Sequence, residues 1–251
     1  MKETAIKAAK EAGKILLENF DNVKKITSKG KNNFVTNVDI KAEKKIMAII
    51  KNRFPKHSFL CEESGCTRKE AEYEWVIDPL DGTHNYMHGL PLFGTSIGLK
   101  KDGETVLGVI YMPLMDRIFV AEKGKGAFMN GKRIHVSSRK KLSQAFILYD
   151  SNIHRLLDIK FDFLKSLSNN IFSARMLGCA VVNATNIAMG NADGYIAYDP
   201  FEWDFLAGHL IMEEAGGIAD KVRFGKNVAY ISGNRAVVAA LKQRFSKILS
   251  R

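Results

Sequence analysis

Trp75-Val76-Ile77-Asp78-Pro79-Leu80-Asp81-Gly82-Thr83 is an apolar run that ends in two carboxylates three residues apart. The run reads as a buried strand. Pro79 restricts the backbone between the two aspartates, so both can project towards one point. Such oxygen donors suit a hard divalent cation, which keeps waters and takes phosphate oxygens as further ligands. Gly82 permits close backbone approach, and a helix starting here would aim the amides of Gly82 and Thr83 at an anion. Asp-Pro and Asp-Gly are also ordinary turn formers, so a plain strand-ending turn needs the same residues.

Outward from this stretch, Gly94 to Lys100 and Thr105 to Met112 alternate as strands across an Asp102-Gly103 turn. Asn130-Gly131 predicts a second hairpin, between Ala127-Phe128-Met129 and Ile134-His135-Val136. Upstream, Thr4 to Phe20 carries Ile6, Ala9, Leu16, Leu17 and Phe20 at helical spacing. A second helix is expected from about Asp39 to before Pro55, with Ile46, Ile49, Ile50 and Phe54 as its stripe. The polar, basic residues 24–31 suit a loop or a short strand. Downstream of the basic residues 137–141, strands at 145–149 and 195–198 alternate with helices at 178–189 and 204–215. A last helix is capped by Asn234. The expected division is residues 1–140 and 141–251, packed together as one unit.

The 251 residues carry 38 Lys+Arg against 27 Asp+Glu, a net charge of +11, with 46% hydrophobic residues and five prolines. That composition excludes disordered and collagen-like chains and supplies a sizeable core. No apolar stretch is long enough for a membrane span, and the N-terminus lacks the apolar region of a signal peptide. Three cysteines (Cys61, Cys66, Cys179) suit reduced thiols in a cytoplasm better than a disulfide framework. The sequence pI near 9.5 favours anionic partners without choosing among them.

Other carboxylates sit where elements begin or end. Glu62-Glu63 follow Phe59-Leu60, Asp39 follows Thr36-Asn37-Val38, and Asp204 follows Trp203. Each has a plain reading, as a solvated surface charge or a helix N-cap; together they place carboxylates where scaffolds carry sites. His84 and His88 lie four apart, but Gly89-Leu90-Pro91 ends any helix carrying them, so a zinc pair is disfavoured. Cys61 and Cys66 as a metal or redox pair, and Lys123-Gly124-Lys125-Gly126 as a phosphate cradle, are weaker than free thiols and a simple turn.

At this point the chain resembles the inositol monophosphatase family of Mg²⁺-dependent, lithium-sensitive sugar phosphatases. One signature is the stretch above continued through His84-Asn85-Tyr86. The other is Glu202-Trp203-Asp204-Phe205-Leu206-Ala207-Gly208, continuing to Glu214-Ala215-Gly216-Gly217. Thr36-Asn37-Val38-Asp39 and Glu62-Glu63-Ser64 match two further elements in the same order. The resemblance covers nearly the whole chain. It implies an α+β fold, a layered α/β/α/β/α sandwich of the inositol monophosphatase and fructose-1,6-bisphosphatase type, and a homodimer.

It also implies roles. Glu62, Asp78 and the Leu80 carbonyl would hold one Mg²⁺, and Asp78, Asp81 and Asp204 a second. A third, weaker ion would involve Glu62 near Asp39. The Asp39–Thr83 pair would orient the attacking water, while Gly82 and Thr83 amides hold the phosphate. Glu62, Asp39 and Thr83 are thus the expected catalytic residues, and Gly178, Cys179 and Ala180 the nearest to the sugar. An all-carboxylate set selects Mg²⁺ or Mn²⁺ over zinc.

Asn85-Tyr86 with His88-Gly89-Leu90-Pro91 resembles the inositol monophosphatase branch rather than the nucleotide bisphosphate one. One departure stands out: Ala197 occupies the place of a glutamate that binds inositol hydroxyls in many members. Asp199 or Glu202 could compensate, and fructose 1,6-bisphosphate becomes a possible substrate. Arg175 reads equally as a sensor of a substrate anion or as a buried ion-pair partner. The rival class is a nucleic-acid or transcription-complex binding protein using basic clusters such as Arg139-Lys140-Lys141, although no RNA-binding aromatic motif accompanies them.

Overall fold

The residues from Tyr73 to Asp81 form a nine-residue strand whose central positions are buried, as an apolar run between two covered faces requires. The computed structural model describes residues 1–20, 26–30, 33–66 and 71–250. In chain order the elements are α1 (Lys2–Asn19), β1 (Ile26–Gly30), β2 (Asn33–Thr36), α2 (Asn37–Arg53), β3 (Ser58–Cys61), β4 (Gly65–Cys66), β5 (Tyr73–Asp81) and α3 (Thr83–Met87). There follow β6 (Gly94–Lys101), β7 (Glu104–Met112), β8 (Arg117–Glu122), β9 (Ala127–Met129), β10 (Lys132–Arg133), β11 (Phe146–Tyr149), α4 (Leu157–Leu167) and β12 (Ser173–Arg175). The last are α5 (Ala180–Ala188), β13 (Gly194–Tyr198), α6 (Glu202–Glu214), β14 (Ile218–Phe224), β15 (Asn227–Gly233) and α7 (Arg235–Leu249).

Beside a β1–β2 hairpin, the described strands form two sheets. The larger runs β10-β9-β8-β7-β6-β5-β3-β4 and the smaller β12-β11-β13-β15-β14. In the larger, only β3 and β5 run parallel; in the smaller, β11 is parallel to both β12 and β13. Among the described residues the apolar side chains form three clusters. One joins α1 and α2 to the larger sheet through Leu16, Ile46, Trp75 and Ile97. A second joins the other face of that sheet to α5 and α6 through Ile110, Val182, Ile187 and Ile211. The third joins the smaller sheet to α4 and α7 through Ile147, Phe163, Ile231 and Phe245. The order is therefore helix, sheet, helix, sheet, helix: the α+β layered sandwich that the resemblance implied.

Helix α6 lies against the centre of the larger sheet because two glycines make room for it. Gly98 and Gly108 are register partners on β6 and β7. A Cβ on Gly98 would strike the Leu206 side chain, and one on Gly108 would lie 2.7 Å from the Ala207 carbonyl oxygen. The helix thus settles onto bare backbone, which brings its N-terminal turn, with Asp204, towards the end of β5.

Several local expectations change in the fold. Asp39 is not the N-cap of α2. Thr36 is, and Asp39 is the third helical residue of a capping box that receives the Thr36 backbone N–H at 3.0 Å. Asp204 likewise sits in the first turn of α6, behind Phe201 as N-cap. Beyond Asn130-Gly131 the returning strand is Lys132–Arg133 rather than residues 134–136. Residues 123–126 form a turn, and its Gly124 and Gly126 N–H groups both donate to the Glu214 carboxylate at 2.6 Å. An internal carboxylate therefore takes the place of any phosphate there. Cys61 and Cys66 lie at the two sides of the β3–β4 turn as reduced thiols. Part of residues 24–31 lies outside the described residues.

Candidate active site

The end of β5 carries the site. Its ladder with β6 is regular up to Asp78–Ser96 and resumes at Asp81–Gly94, so Pro79 and Leu80 form an irregularity between the two aspartates. Thr95 Oγ1 donates to the Pro79 carbonyl (3.0 Å) and the Leu80 N–H to Asp78 Oδ1 (2.9 Å), which fixes the turn. Gly82 then adopts φ +88° and caps α3. A side chain at this position would meet the Leu92 carbonyl oxygen at 2.7 Å and Cys179 at 3.2 Å, so only glycine fits.

Asp78, Asp81 and Asp204 are drawn close enough to disturb one another's ionisation. The Asp78 carboxyl is held well above its usual range, first by burial and then by repulsion from Glu62, Asp81 and Asp204. Asp204 is raised in the same way, by burial and then by Asp81 and Glu62. Asp81 is raised by burial, and this is opposed by the N–H groups of Val181, Ala180 and Gly82 and by the Cys179 thiol. Val181 N–H donates to Asp81 Oδ2 at 2.5 Å, with Cys179 Sγ at 3.3 Å. The Gly82 N–H, expected to hold phosphate, also favours the charged form of Asp81.

On the other side of the β5 terminus, the Thr83 hydroxyl lies 3.0 Å from the Leu80 carbonyl and 3.4 Å from Asp39 Oδ1. Asp39, buried at the start of α2, also accepts from the Thr36 hydroxyl. Glu62 and Glu63 occupy the β3–β4 turn, where the Glu63 N–H donates to the buried carboxylate of Glu43 at 2.9 Å.

No three His, Cys, Asp or Glu side chains among the described residues already form a closed metal-binding group. The carboxylates instead make an acidic wall of oxygen donors: Asp81 and Asp204 line a cavity, and Glu62 and the buried Asp78 are near enough to disturb their ionisation. The leading causes of the Asp78 shift are burial and neighbouring carboxylates. A hard cation that retains waters fits that wall, and its charge would relieve the repulsion. Asp78, Asp81, Asp204, Glu62 and the Leu80 carbonyl are the residues that could hold it.

A cavity of about 190 Å³ opens beside Asp81 and Asp204, and its lining includes Gly178, Cys179, Ala180 and Ala197. Arg175 does not line it. It is exposed on β12, with its guanidinium bonded to Ser173 Oγ (2.6 Å) and the Ala174 carbonyl (2.7 Å) and set against the Phe146 ring. Nor does Glu202 replace the missing carboxylate at Ala197, because it turns to Lys100 at 2.6 Å. Asp199 lines the cavity, but its carboxylate accepts from the Val228 N–H (2.7 Å) and Arg155 (3.4 Å).

Sequence reading missed a second polar wall. Asp150, Asn152, Arg155, Asn183 and Tyr195 all line the cavity. Asp150 is paired with the buried Lys160 at 3.1 Å and accepts from the Asn152 and Tyr198 N–H groups. Asp150 follows a short apolar run as Asp78 does, but no spacing ties it to Lys160 on α4.

Comparison with known proteins agrees with this architecture. The inositol monophosphatase family pattern matches residues 1–250. A fructose-1,6-bisphosphatase/inositol-1-monophosphatase of Aquifex aeolicus is 39% identical over 240 residues, 94% of this chain and 91% of that one. A Nus factor SuhB of Pasteurella multocida is 33% identical, covering 99% of this chain and 95% of that one. The crystal structure of extragenic suppressor protein suhB from Bartonella henselae superposes with a TM-score of 0.93 at 33% identity, over 98% of each chain. The two signatures, the layered fold and the match along nearly the full length agree, and the chain belongs to the inositol monophosphatase family.

Proposed function

We propose that the protein is a Mg²⁺-dependent phosphomonoesterase acting on inositol 1-phosphate or a related sugar phosphate, with Mn²⁺ as an alternative ion. The observation that carries this is the group of buried carboxylates at the end of β5 and the start of α6, beside a polar cavity. Bound divalent ions supply charge that activates water and neutralises the phosphoryl and leaving oxygens. Asp78, Asp81, Asp204, Glu62 and the Leu80 carbonyl would hold them. When the Thr83 hydroxyl donates to Asp39 (3.4 Å) instead of the Leu80 carbonyl (3.0 Å), its lone pairs are left for a water proton, and the pair then orients the nucleophile. Gly178, Cys179 and Ala180 line the space for the alcohol part of the ester.

Ala197 and the bifunctional name of the Aquifex relative support fructose 1,6-bisphosphate as a second substrate. The SuhB-named relatives, with the +11 charge, support a binding role as the rival reading. Phosphate release with Mg²⁺ from inositol 1-phosphate, fructose 1,6-bisphosphate and adenosine 3′,5′-bisphosphate, side by side, decides between them. Turnover of a sugar phosphate, reduced about a hundredfold or more in Asp81→Asn, is the expected result. No release from any of the three by the wild type overturns the reading.

A further inference from the structure

The cavity beside the carboxylates has a cation on a wall built by other elements. Arg155, in the connection between β11 and α4, is the one lysine or arginine among its described lining residues. Its guanidinium is half exposed, and the contact to Asp199 engages one end of the fork, Nη2, at 3.4 Å.

That fork is held from behind. Asp199 is fixed to β15 in both directions: its N–H donates to the Val228 carbonyl (2.9 Å) and its carboxylate accepts the Val228 N–H (2.7 Å). The connection carrying Arg155 is fixed at its base as well. Asp150 accepts the Asn152 N–H (2.7 Å), and the buried Lys160 ammonium donates to the Asn152 carbonyl (2.5 Å). Ala197, in the same lining, contributes only a methyl group and no charge.

We propose that Arg155 reads a second phosphoryl group on the substrate, so that the cavity favours sugar bisphosphates over sugar monophosphates. The inference rests on the phosphatase reading above. A guanidinium offers paired N–H donors that match phosphate oxygens, and a pre-positioned fork loses little freedom on binding. With one phosphoryl group at the carboxylate wall, a monophosphate presents only hydroxyls elsewhere in the cavity, and the fork stays hydrated.

The test is kcat/KM with Mg²⁺ for fructose 1,6-bisphosphate and inositol 1-phosphate, in the wild type, Arg155→Gln and Arg155→Lys. Arg155→Gln is expected to lower the bisphosphate-to-monophosphate ratio about tenfold, mainly through KM, because the site is half exposed. Arg155→Lys should recover part of the ratio, and 0.5 M salt should shrink the wild-type advantage. An unchanged ratio in both variants, with the wild type active, overturns the role of Arg155 and leaves the phosphatase reading standing. No phosphate release by the wild type from either substrate overturns both.

Discussion

Thr83 has one hydroxyl proton and two acceptors within reach, the Leu80 carbonyl and Asp39 Oδ1. Its chemistry therefore depends on which of them it serves. Donation to Asp39 leaves lone pairs facing outward for a water, whereas donation to Leu80 only closes the turn. Thr83→Ala is expected to lower kcat about a hundredfold, with Thr83→Ser close to wild type, because a positioned proton acceptor contributes on that scale. Turnover of the two variants on inositol 1-phosphate checks this, and a fully active alanine variant would reduce Thr83 to a turn-former. At this scale the sequence was legible where chemistry is local. Asp78, Asp81 and Gly82 are neighbours in the chain, and their turn forms from their own backbone preferences. Arg175 shows the opposite case: its guanidinium rests on the Phe146 ring only because β12 pairs with β11.

Between elements, aromatic packing fixes α2 to β5. His57 stacks on Phe54 at 4.9 Å and on Tyr73 at 4.8 Å between ring centroids, and its Nδ1 accepts the Trp75 indole N–H at 3.0 Å. Burial holds the imidazole below its ordinary value of 6.5, so the folded state prefers it neutral. Below that value the unfolded chain binds more protons, and this contribution to stability is lost as pH falls. A His57→Gln variant should therefore lose less melting temperature between pH 7.5 and pH 5 than the wild type. An identical pH slope in the two proteins would remove His57 from the account. The elements legible in the sequence were those with strong signals: the buried run of β5, the Asp102-Gly103 hairpin and the Asn234 cap, whose Oδ1 accepts the Val237 N–H. The sequence reading had no β14 and no α4. Strand β14 alternates half-buried and exposed residues around Asp220, Lys221 and Arg223, and its pairing with β15 makes it a strand. Helix α4 begins after a left-handed Leu156, with no side-chain cap to announce it.

Across the whole molecule the site unites residues from separate elements by accumulating buried negative charge. Asp204 arrives on α6, which the bare backbone at Gly98 and Gly108 admits to the sheet. Without a cation, Asp78, Asp81 and Asp204 repel one another, so part of the folding free energy is spent on the site. Saturating Mg²⁺ should raise the melting temperature by about 5–10 °C at a hundredfold excess over Kd. Asp204→Asn should raise the melting temperature of the metal-free protein and reduce the Mg²⁺-induced rise. Thermal melts with and without chelator measure both, and an unchanged melt on adding Mg²⁺ would deny the cluster a cation. By itself the sequence determined the turn between Asp78 and Asp81 and the main strands and helices around it, because these follow from residue chemistry and from short-range periodicity, whereas the carboxylate set and the order of layers were implied by the family resemblance. Only the tertiary structure decided that Asp204 meets Asp81, that Arg155 rather than Arg175 lines the cavity, and that burial and mutual repulsion raise the carboxyls of Asp78 and Asp204 well above their usual range. Those outcomes depend on long-range packing, which sets the distance between charges and the amount of water left around them.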